Sequence, residues 1–180
     1  MPANAGVVPI FFLKAFIAIF HFVKMMVNFK KEYSLMNEKL QKVLEFLDDA
    51  QTYYLATVEG DQPRVRPFGT ALVYNDRLYI QTGKIKAVSK QISSNPKVEI
   101  CAFKDGKWIR ITGELVEDDT REAKTLMLDK MPVLRHMYNE DDGNCKCSIL
   151  RAQKSCLFLL VVHQKSLIFN LKAESNCYGC

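Results

Sequence analysis

Two arginines in the middle of this 180-residue chain have a spacing that suits the binding of an anion. Arg64 and Arg66 lie two residues apart in a segment predicted to be a strand, so their side chains leave the same face about 7 Å apart. Two guanidinium groups on one face attract a negatively charged ligand. The alternative interpretation, that both are solvated surface charges, is equally compatible with the residue types alone.

A second pair of cations lies where a strand ending in Gln81 and Thr82 is predicted to pass into a helix. We expect the helix to begin at about Gly83, which puts Lys84 and Lys86 in its first turn. Cations at that end oppose the helix dipole and are unfavourable unless an anion is bound there. The Thr82 hydroxyl, the free backbone N–H groups and Lys86 therefore form a candidate phosphate site, with solvated lysines as the alternative.

Other catalytic arrangements have little support in the sequence. His136 is the only histidine between residues 36 and 145, and nothing near it completes a Ser/His/Asp arrangement. Two cysteine pairs, Cys145/Cys147 and Cys177/Cys180, could be half-sites for zinc. The first pair is spaced one residue too closely, and His163 is the only histidine nearby. We therefore predict no metal site and assign no residue as an essential acid or base.

The net charge of +5 comes from the two ends of the chain. Residues 1–35 carry four lysines against one glutamate, and residues 146–180 carry five basic side chains against one glutamate. The segment between them has 16 basic and 18 acidic residues and is slightly negative. Binding to nucleic acid requires a basic face on the folded body, so we predict no nucleic-acid partner.

The segments that must position these residues follow one another in short steps. Most are runs of aromatic and β-branched residues separated by turn residues such as Asp105 and Gly106, a pair typical of tight hairpins. Parallel sheets need longer crossover connections, so the spacing predicts a mainly β, antiparallel barrel with peripheral helices. The predicted strands are 53–58, 64–74, 77–82, 98–104 and 107–116, and the predicted helices are 37–49 (capped by Asn37), 83–94 and one that begins after Thr120.

The first 35 residues do not share this pattern. Residues 7–23 are apolar but short for a membrane span, and Lys14 in their middle opposes insertion, so a membrane anchor is the less favoured alternative. The codons for residues 30–32 can spell a purine-rich ribosome-binding sequence just before Met36. We therefore expect residues 1–35 to be a translated leader outside the fold.

The C-terminal tail, residues 146–180, also differs in sequence pattern from the body of the chain. We expect the body to span residues 36–145. Five of the six cysteines lie at or after Cys145. A disulfide framework would be spread through the fold, so we predict a reducing, cytoplasmic location.

One nucleotide inserted before the codon of Lys146 would permit Glu-Val-Phe, then a strand and a stop codon further on. We therefore hypothesise that residues 146–180 are translated in a shifted frame.

Four spaced blocks of the body resemble the pyridoxamine 5′-phosphate oxidase-like flavoproteins. The run Tyr53-Tyr54-Leu55-Ala56-Thr57-Val58, followed by Gln62-Pro63-Arg64-Val65-Arg66-Pro67-Phe68-Gly69, resembles the opening hairpin of that family. The other blocks, in the family's order, are Leu78-Tyr79-Ile80-Gln81-Thr82 with Lys86-Ala87-Val88, then Asn95-Pro96-Lys97-Val98-Glu99-Ile100, then Trp108-Ile109-Arg110-Ile111-Thr112-Gly113. The resemblance covers about residues 37–145.

The resemblance implies a split β-barrel that forms a homodimer, with FMN bound near the dimer interface. The strand matching residues 64–69 would line the isoalloxazine ring, and the segment matching residues 81–86 would hold the ribityl phosphate. Trp108 would lie near the flavin of a second subunit, with a core tryptophan as the alternative interpretation. The implied cofactor-binding residues are Arg64, Val65, Arg66, Pro67, Gln81, Thr82, Lys84, Lys86 and Trp108.

The resemblance and the residue pattern together predict a cytoplasmic FMN-binding protein. It would act as a small flavin oxidoreductase on a small-molecule redox substrate whose identity the residues leave open. The flavin would carry the redox chemistry, and the protein would supply the phosphate clamp and the environment of the ring. The alternative is a non-catalytic binding or sensing module that holds flavin, haem or a deazaflavin, because one fold hosts both enzymes and binders.

Overall fold

A computed structural model describes the backbone of residues 10–152, 156–162 and 165–171. The chain begins with a long helix and continues as short strands interrupted by two further helices. The helices are α1 Ile10–Ala50, α2 Ala87–Ser94 and α3 Arg121–Lys130, and a 3-10 helix follows at Pro132–His136. The strands are β1 Tyr53–Glu59, β2 Gln62–Phe68, β3 Leu72–Tyr74, β4 Arg77–Gly83, β5 Lys97–Lys104, β6 Lys107–Asp118, β7 Cys145–Ala152, β8 Cys156–Val162 and β9 Lys165–Leu171.

The described strands form one antiparallel sheet. Its order is β2-β1-β5-β6-β7-β4-β3, and β8 pairs with both β6 and β9. Within the described residues, β2 and β3 at the two ends of that order are not paired with each other, so the barrel is open between them. The predicted strand 64–74 is divided into β2 and β3 by residues 69–71. The prediction of an antiparallel split barrel with peripheral helices is confirmed.

The core lies on the inner face of the sheet, where alternate residues of neighbouring strands meet in register. Leu55 of β1, Ile100 of β5 and Ile111 of β6 are aligned across three strands and have no exposed surface. Helix α3 adds Met127 and Leu128 to a second buried cluster that includes residues of β7. Truncating one such side chain to alanine typically costs about 2–5 kcal/mol, so these contacts hold the strands in place.

Helix α1 is longer than predicted. The predicted start at Asn37 is wrong: the helix runs unbroken over Ile10–Ala50, because neither glycine nor proline occurs in that stretch. Contacts within the chain divide it into two units, Met1–Glu38 and Lys39–Cys180. Within the second unit, four leucine and valine side chains recur at helical spacing. Leu40, Val43 and Leu47 are buried, and Leu44 is half-buried.

The predicted boundaries at residues 35 and 145 stay predictions. Among the described residues, no helix is long and apolar enough to cross a membrane. At the other end, β7 carries the sheet past residue 145, and Lys146, Cys147 and Ser148 are buried between β4 and β6. The cysteine and histidine positions considered for zinc in the far tail, His163, Cys177 and Cys180, lie outside the described residues.

The helix predicted to begin at Gly83 begins four residues later, at Ala87. The reason is that β4 stays paired with β7 through Thr82 and Gly83, so the backbone remains extended there. Lys84 therefore precedes the helix and Lys86 is its N-cap residue, rather than both lying in the first turn.

Candidate functional site

A cleft of about 360 Å³ opens where β2 ends, β4 ends and α2 begins. Its volume lies in the range typical of small-molecule sites. The 3-10 helix and the residues that follow it complete the wall. Five of the predicted site residues line the cleft: Arg66, Pro67, Gln81, Thr82 and Lys86.

Arg66 is held at the wall of the cleft by two short hydrogen bonds. Its Nη1 donates to Thr57 Oγ1 at 2.6 Å, and its Nη2 donates to Gln91 Oε1 at 2.7 Å. Burial, together with the nearby Arg64 cation, lowers the pKa of the Arg66 guanidinium. An arginine nevertheless stays protonated at neutral pH. The cleft therefore has a fixed positive charge on its β2 side.

The start of α2 forms a second polar end of the cleft. Lys86 is the N-cap residue, and its side chain makes no capping hydrogen bond. A helix leaves its first backbone N–H groups without intrahelical partners and carries a positive partial charge at that end. The Lys86 ammonium lies 5.8 Å from the centre of the Tyr138 ring, in a cation–π contact. Together with the buried Thr82, this end of the cleft suits an anion.

Hydrogen bonds around Thr70 fix the inner wall of the cleft. The Thr70 hydroxyl accepts from Gln81 N at 2.9 Å and donates to Gln81 O at 3.1 Å. The Tyr53 hydroxyl donates to Thr70 O at 2.8 Å, which ties the segment after β2 to β1 and β4. Gly83 allows Tyr138 to approach closely, because a Cβ at this position would lie 3.0 Å from the Tyr138 Oη.

Four predicted site residues do not line the cleft: Arg64, Val65, Lys84 and Trp108. Arg64 instead forms an ion pair with Glu59, with Nη2 and Oε2 separated by 2.7 Å. The Lys84 ammonium lies 3.0 Å from Asp119 Oδ1 and 3.2 Å from Glu117 Oε1, and these hydrogen bonds raise the pKa of Lys84. Both cations are thus engaged by carboxylates away from the cleft.

Val65 and Trp108 lie on the outer face of the sheet. Val65 is 64% exposed. Trp108 is opposite Phe103 in the β5–β6 hairpin, and its ring centre lies 5.5 Å from the Arg110 guanidinium carbon. Their predicted contact with a cofactor therefore requires a second copy of the chain.

Residues 40–136 match the sequence model of the pyridoxamine 5′-phosphate oxidase family. This segment carries β1 to β6, α2 and α3, and makes up more than half of the chain. The chain belongs to the pyridoxamine 5′-phosphate oxidase family.

Solved structures share the fold of this chain. A NimC/NimA family protein from Clostridium acetobutylicum is 39% identical, and the alignment covers 77% of this chain and 96% of that protein, with a TM-score of 0.71. A pyridoxamine 5′-phosphate oxidase-related, FMN-binding protein from Nostoc punctiforme is 18% identical over 74% of this chain and 95% of that one, with a TM-score of 0.52. A haem-binding protein from Mycobacterium smegmatis is 12% identical over 69% and 57%, with a TM-score of 0.55. The last two show the shared fold alone. No curated protein matches the chain.

Three residues of this family member belong to the site although the sequence did not identify them: Thr57, Gln91 and Tyr138. Thr57 and Gln91 hold Arg66, and Tyr138 contacts Lys86. Thr57 lies across the β1–β2 hairpin from Arg66. Gln91 and Tyr138 are distant along the chain from Arg66 and Lys86, so tertiary structure alone brings these two to the site. The sequence feature that could have identified Gln91 is its spacing from Val88 and Ile92, which places it on the buried face of α2.

The chemistry available in the cleft of this family member is that of cations and hydrogen-bond donors. Its described lining includes no carboxylate, imidazole or thiol. No group of three metal-ligating side chains occurs among the described residues either. The cleft can bind and orient an anionic ligand, and any electron transfer there would depend on a bound redox cofactor.

Proposed function

We propose that this protein binds FMN in the cleft and acts as a small flavin oxidoreductase. The observation that carries the proposal is the meeting of Arg66, Thr82 and Lys86 at one cleft, beside a helix start without a side-chain cap. FMN joins an anionic phosphate to a flat ring system, and a cationic helix end with a fixed guanidinium nearby fits both parts. Family membership supports the proposal, as does the likeness to the FMN-binding protein from Nostoc punctiforme.

The start of α2 would hold the phosphate. The Lys86 ammonium and the first backbone N–H groups of the helix would donate charge-assisted hydrogen bonds, and the Thr82 hydroxyl would donate another. The Tyr138 ring restrains Lys86 without neutralising its charge, because a cation–π contact involves no counter-ion. Lys84 is excluded from this role, since its ammonium is engaged by Asp119 and Glu117.

The end of β2 would lie along the ring. Arg66 would place a fixed positive charge there, and Pro67 and Gly69 would shape the wall. Bound FMN would supply the redox chemistry between a reductant and a small-molecule substrate. The guanidinium favours added negative charge on the ring, so Arg66 would make the flavin easier to reduce.

The proposal includes a homodimer in the cytoplasm. Tyr54, Val65 and Phe103 are exposed apolar side chains on the outer face of β1, β2 and β5, with Trp108 on the same face. A second copy would cover this face and bring Trp108 towards the cofactor of its partner. The location is supported by the placement of the cysteines, five of which lie at or after Cys145 instead of being spread through the fold.

The visible absorption spectrum of the purified chain tests the proposal. We expect a flavin spectrum that bleaches on addition of a reduced nicotinamide nucleotide, and FMN binding to the stripped protein at micromolar concentration or below. Flavin that binds but is not reduced would favour a non-catalytic module, and a haem spectrum would favour the haem-binding alternative. Failure to bind FMN at micromolar concentration would overturn the proposal.

A further inference from the structure

Three side chains from three elements form a closed ring of hydrogen bonds beside the cleft. Arg66 on β2 donates from Nη1 to Thr57 Oγ1 at 2.6 Å and from Nη2 to Gln91 Oε1 at 2.7 Å. Thr57 on β1 completes the ring by donating from Oγ1 to Gln91 Oε1 at 2.7 Å. Arg66 lines the cleft, whereas Thr57 and Gln91 do not and are only 2% and 6% exposed.

The ring has one consistent assignment of donors and acceptors. Gln91 Oε1 accepts two hydrogen bonds, so the amide nitrogen must point the other way. On that side lies the Glu59 carboxylate, and hydrogen bonds from Arg64 and then from Gln91 lower the pKa of Glu59. A flipped amide would set N–H donors against the Arg66 guanidinium. The Gln91 side chain is thus fixed from both ends.

These contacts determine where the Arg66 guanidinium points. A guanidinium carries five N–H donors in one plane. The ring engages both terminal nitrogens, and a longer contact of 3.5 Å joins Nη1 to the Leu55 carbonyl oxygen. Among the described contacts, Nε–H and one N–H of Nη2 remain for a ligand in the cleft. Loss of the Gln91 anchor would let a long, flexible side chain adopt other rotamers.

We propose that Gln91 is a positioning residue that holds Arg66 in the orientation in which it contacts bound FMN. The inference rests on the proposed FMN site, because it requires Arg66 to touch the cofactor. Gln91 does not line the cleft, so its influence on the flavin passes through Arg66. Thr57 supports the same orientation from β1.

A double-mutant cycle for FMN affinity tests this inference in the full chain. Gln91→Met keeps the length of the side chain but removes the acceptor, and we expect it to weaken FMN binding about 3- to 10-fold. In an Arg66→Ala background the same substitution should change the dissociation constant by less than about twofold, because its target is absent. Gln91→Met should also lower the flavin reduction potential towards that of Arg66→Ala.

The matched control is Ser93→Ala, on the same helix. Ser93 donates to the Ser89 carbonyl and does not line the cleft, so this variant should bind FMN as the unsubstituted chain does. Thr57→Val removes the other acceptor of the ring and serves as a second route if Gln91→Met does not fold. Thr57→Val should show the same dependence on Arg66.

The outcomes separate the two proposals. If the unsubstituted chain does not bind FMN, the proposed function fails and this inference fails with it. If FMN binds normally but Gln91→Met weakens it equally with and without Arg66, Gln91 has a merely structural role and the inference alone is overturned. An unaltered potential in Gln91→Met would overturn it as well.

Discussion

Replacing Lys86 with alanine tests the phosphate end of the cleft directly. The substitution removes the ammonium at the N-cap of α2 together with its contact to Tyr138. The fold should tolerate the change, because the Lys86 side chain makes no capping hydrogen bond. We therefore expect Lys86→Ala to fold normally and to bind FMN more weakly.

The size of the effect follows from the hydrogen bond that is lost. A hydrogen bond to a charged group contributes about 1.5–3 kcal/mol, and each 1.4 kcal/mol is a factor of ten in the dissociation constant. Lys86→Ala should therefore raise the dissociation constant of FMN about 10- to 150-fold. The first N–H groups of α2 and the Thr82 hydroxyl remain, so binding should be weakened rather than abolished.

Lys84→Ala is the matched control for this experiment. It removes the same group two residues earlier, but the Lys84 ammonium is engaged by Asp119 and Glu117 and does not line the cleft. We expect it to change the FMN dissociation constant by no more than about twofold when flavin fluorescence is titrated at about 0.1 M salt, where distant charges are screened. Equal losses in the two variants, or no loss in Lys86→Ala, would refute the assignment of the phosphate site.

Four further predictions concern other parts of the molecule. Arg66→Ala should lower the flavin reduction potential by about 20–60 mV, measured by dye-equilibrated reduction; an unaltered potential would place the guanidinium away from the ring. Hydrogen bonds from Lys124 and Lys84 lower the pKa of Asp119 below its ordinary 3.8, so the free energy of unfolding should fall as the pH drops below that value. Urea titrations should show a shallower fall in Asp119→Asn. Phe103→Lys should give a monomer in sedimentation experiments, and a persisting dimer would move the interface elsewhere. Ser148→Ala should raise the free energy of unfolding by about 1–3 kcal/mol in urea titrations, and a loss of stability would contradict the reasoning.

Much of the sheet could be predicted because its signals are local. Asp105 and Gly106 both have positive φ, as a tight hairpin turn requires, and they join β5 to β6 where the sequence indicated. The signals that determine where the helices begin are not local. Asn37 has the residue type of a cap, but its neighbours on both sides favour a helix. β4 extends to Gly83 because β7, far along the chain, pairs with it.

In the candidate site, residue types identified the cations but could not separate those at the cleft from those beside it. Arg64 and Arg66 satisfy the same spacing rule, and so do Lys84 and Lys86. The difference lies in their partners, since carboxylates engage Arg64 and Lys84 but Arg66 is held by neutral side chains. Glu59, the partner of Arg64, lies across the same hairpin and was within reach of sequence reasoning. The partners of Lys84 come from the end of β6 and the residue that follows it, and only the folded chain brings them to Lys84.

Two residues of strand β7 have polar side chains at buried positions. The strand lies between β4 and β6, where side chains are buried, yet Lys146 is only 3% exposed and depends on Glu117 as its counter-ion. The Ser148 hydroxyl is a buried polar atom without a hydrogen-bond partner among the described residues, a state that costs about 1–3 kcal/mol. The hypothesis of a shifted frame replaces that hydroxyl with the apolar side chain of phenylalanine. A buried lysine and an unpartnered buried hydroxyl in one strand thus favour that hypothesis, which stays a prediction.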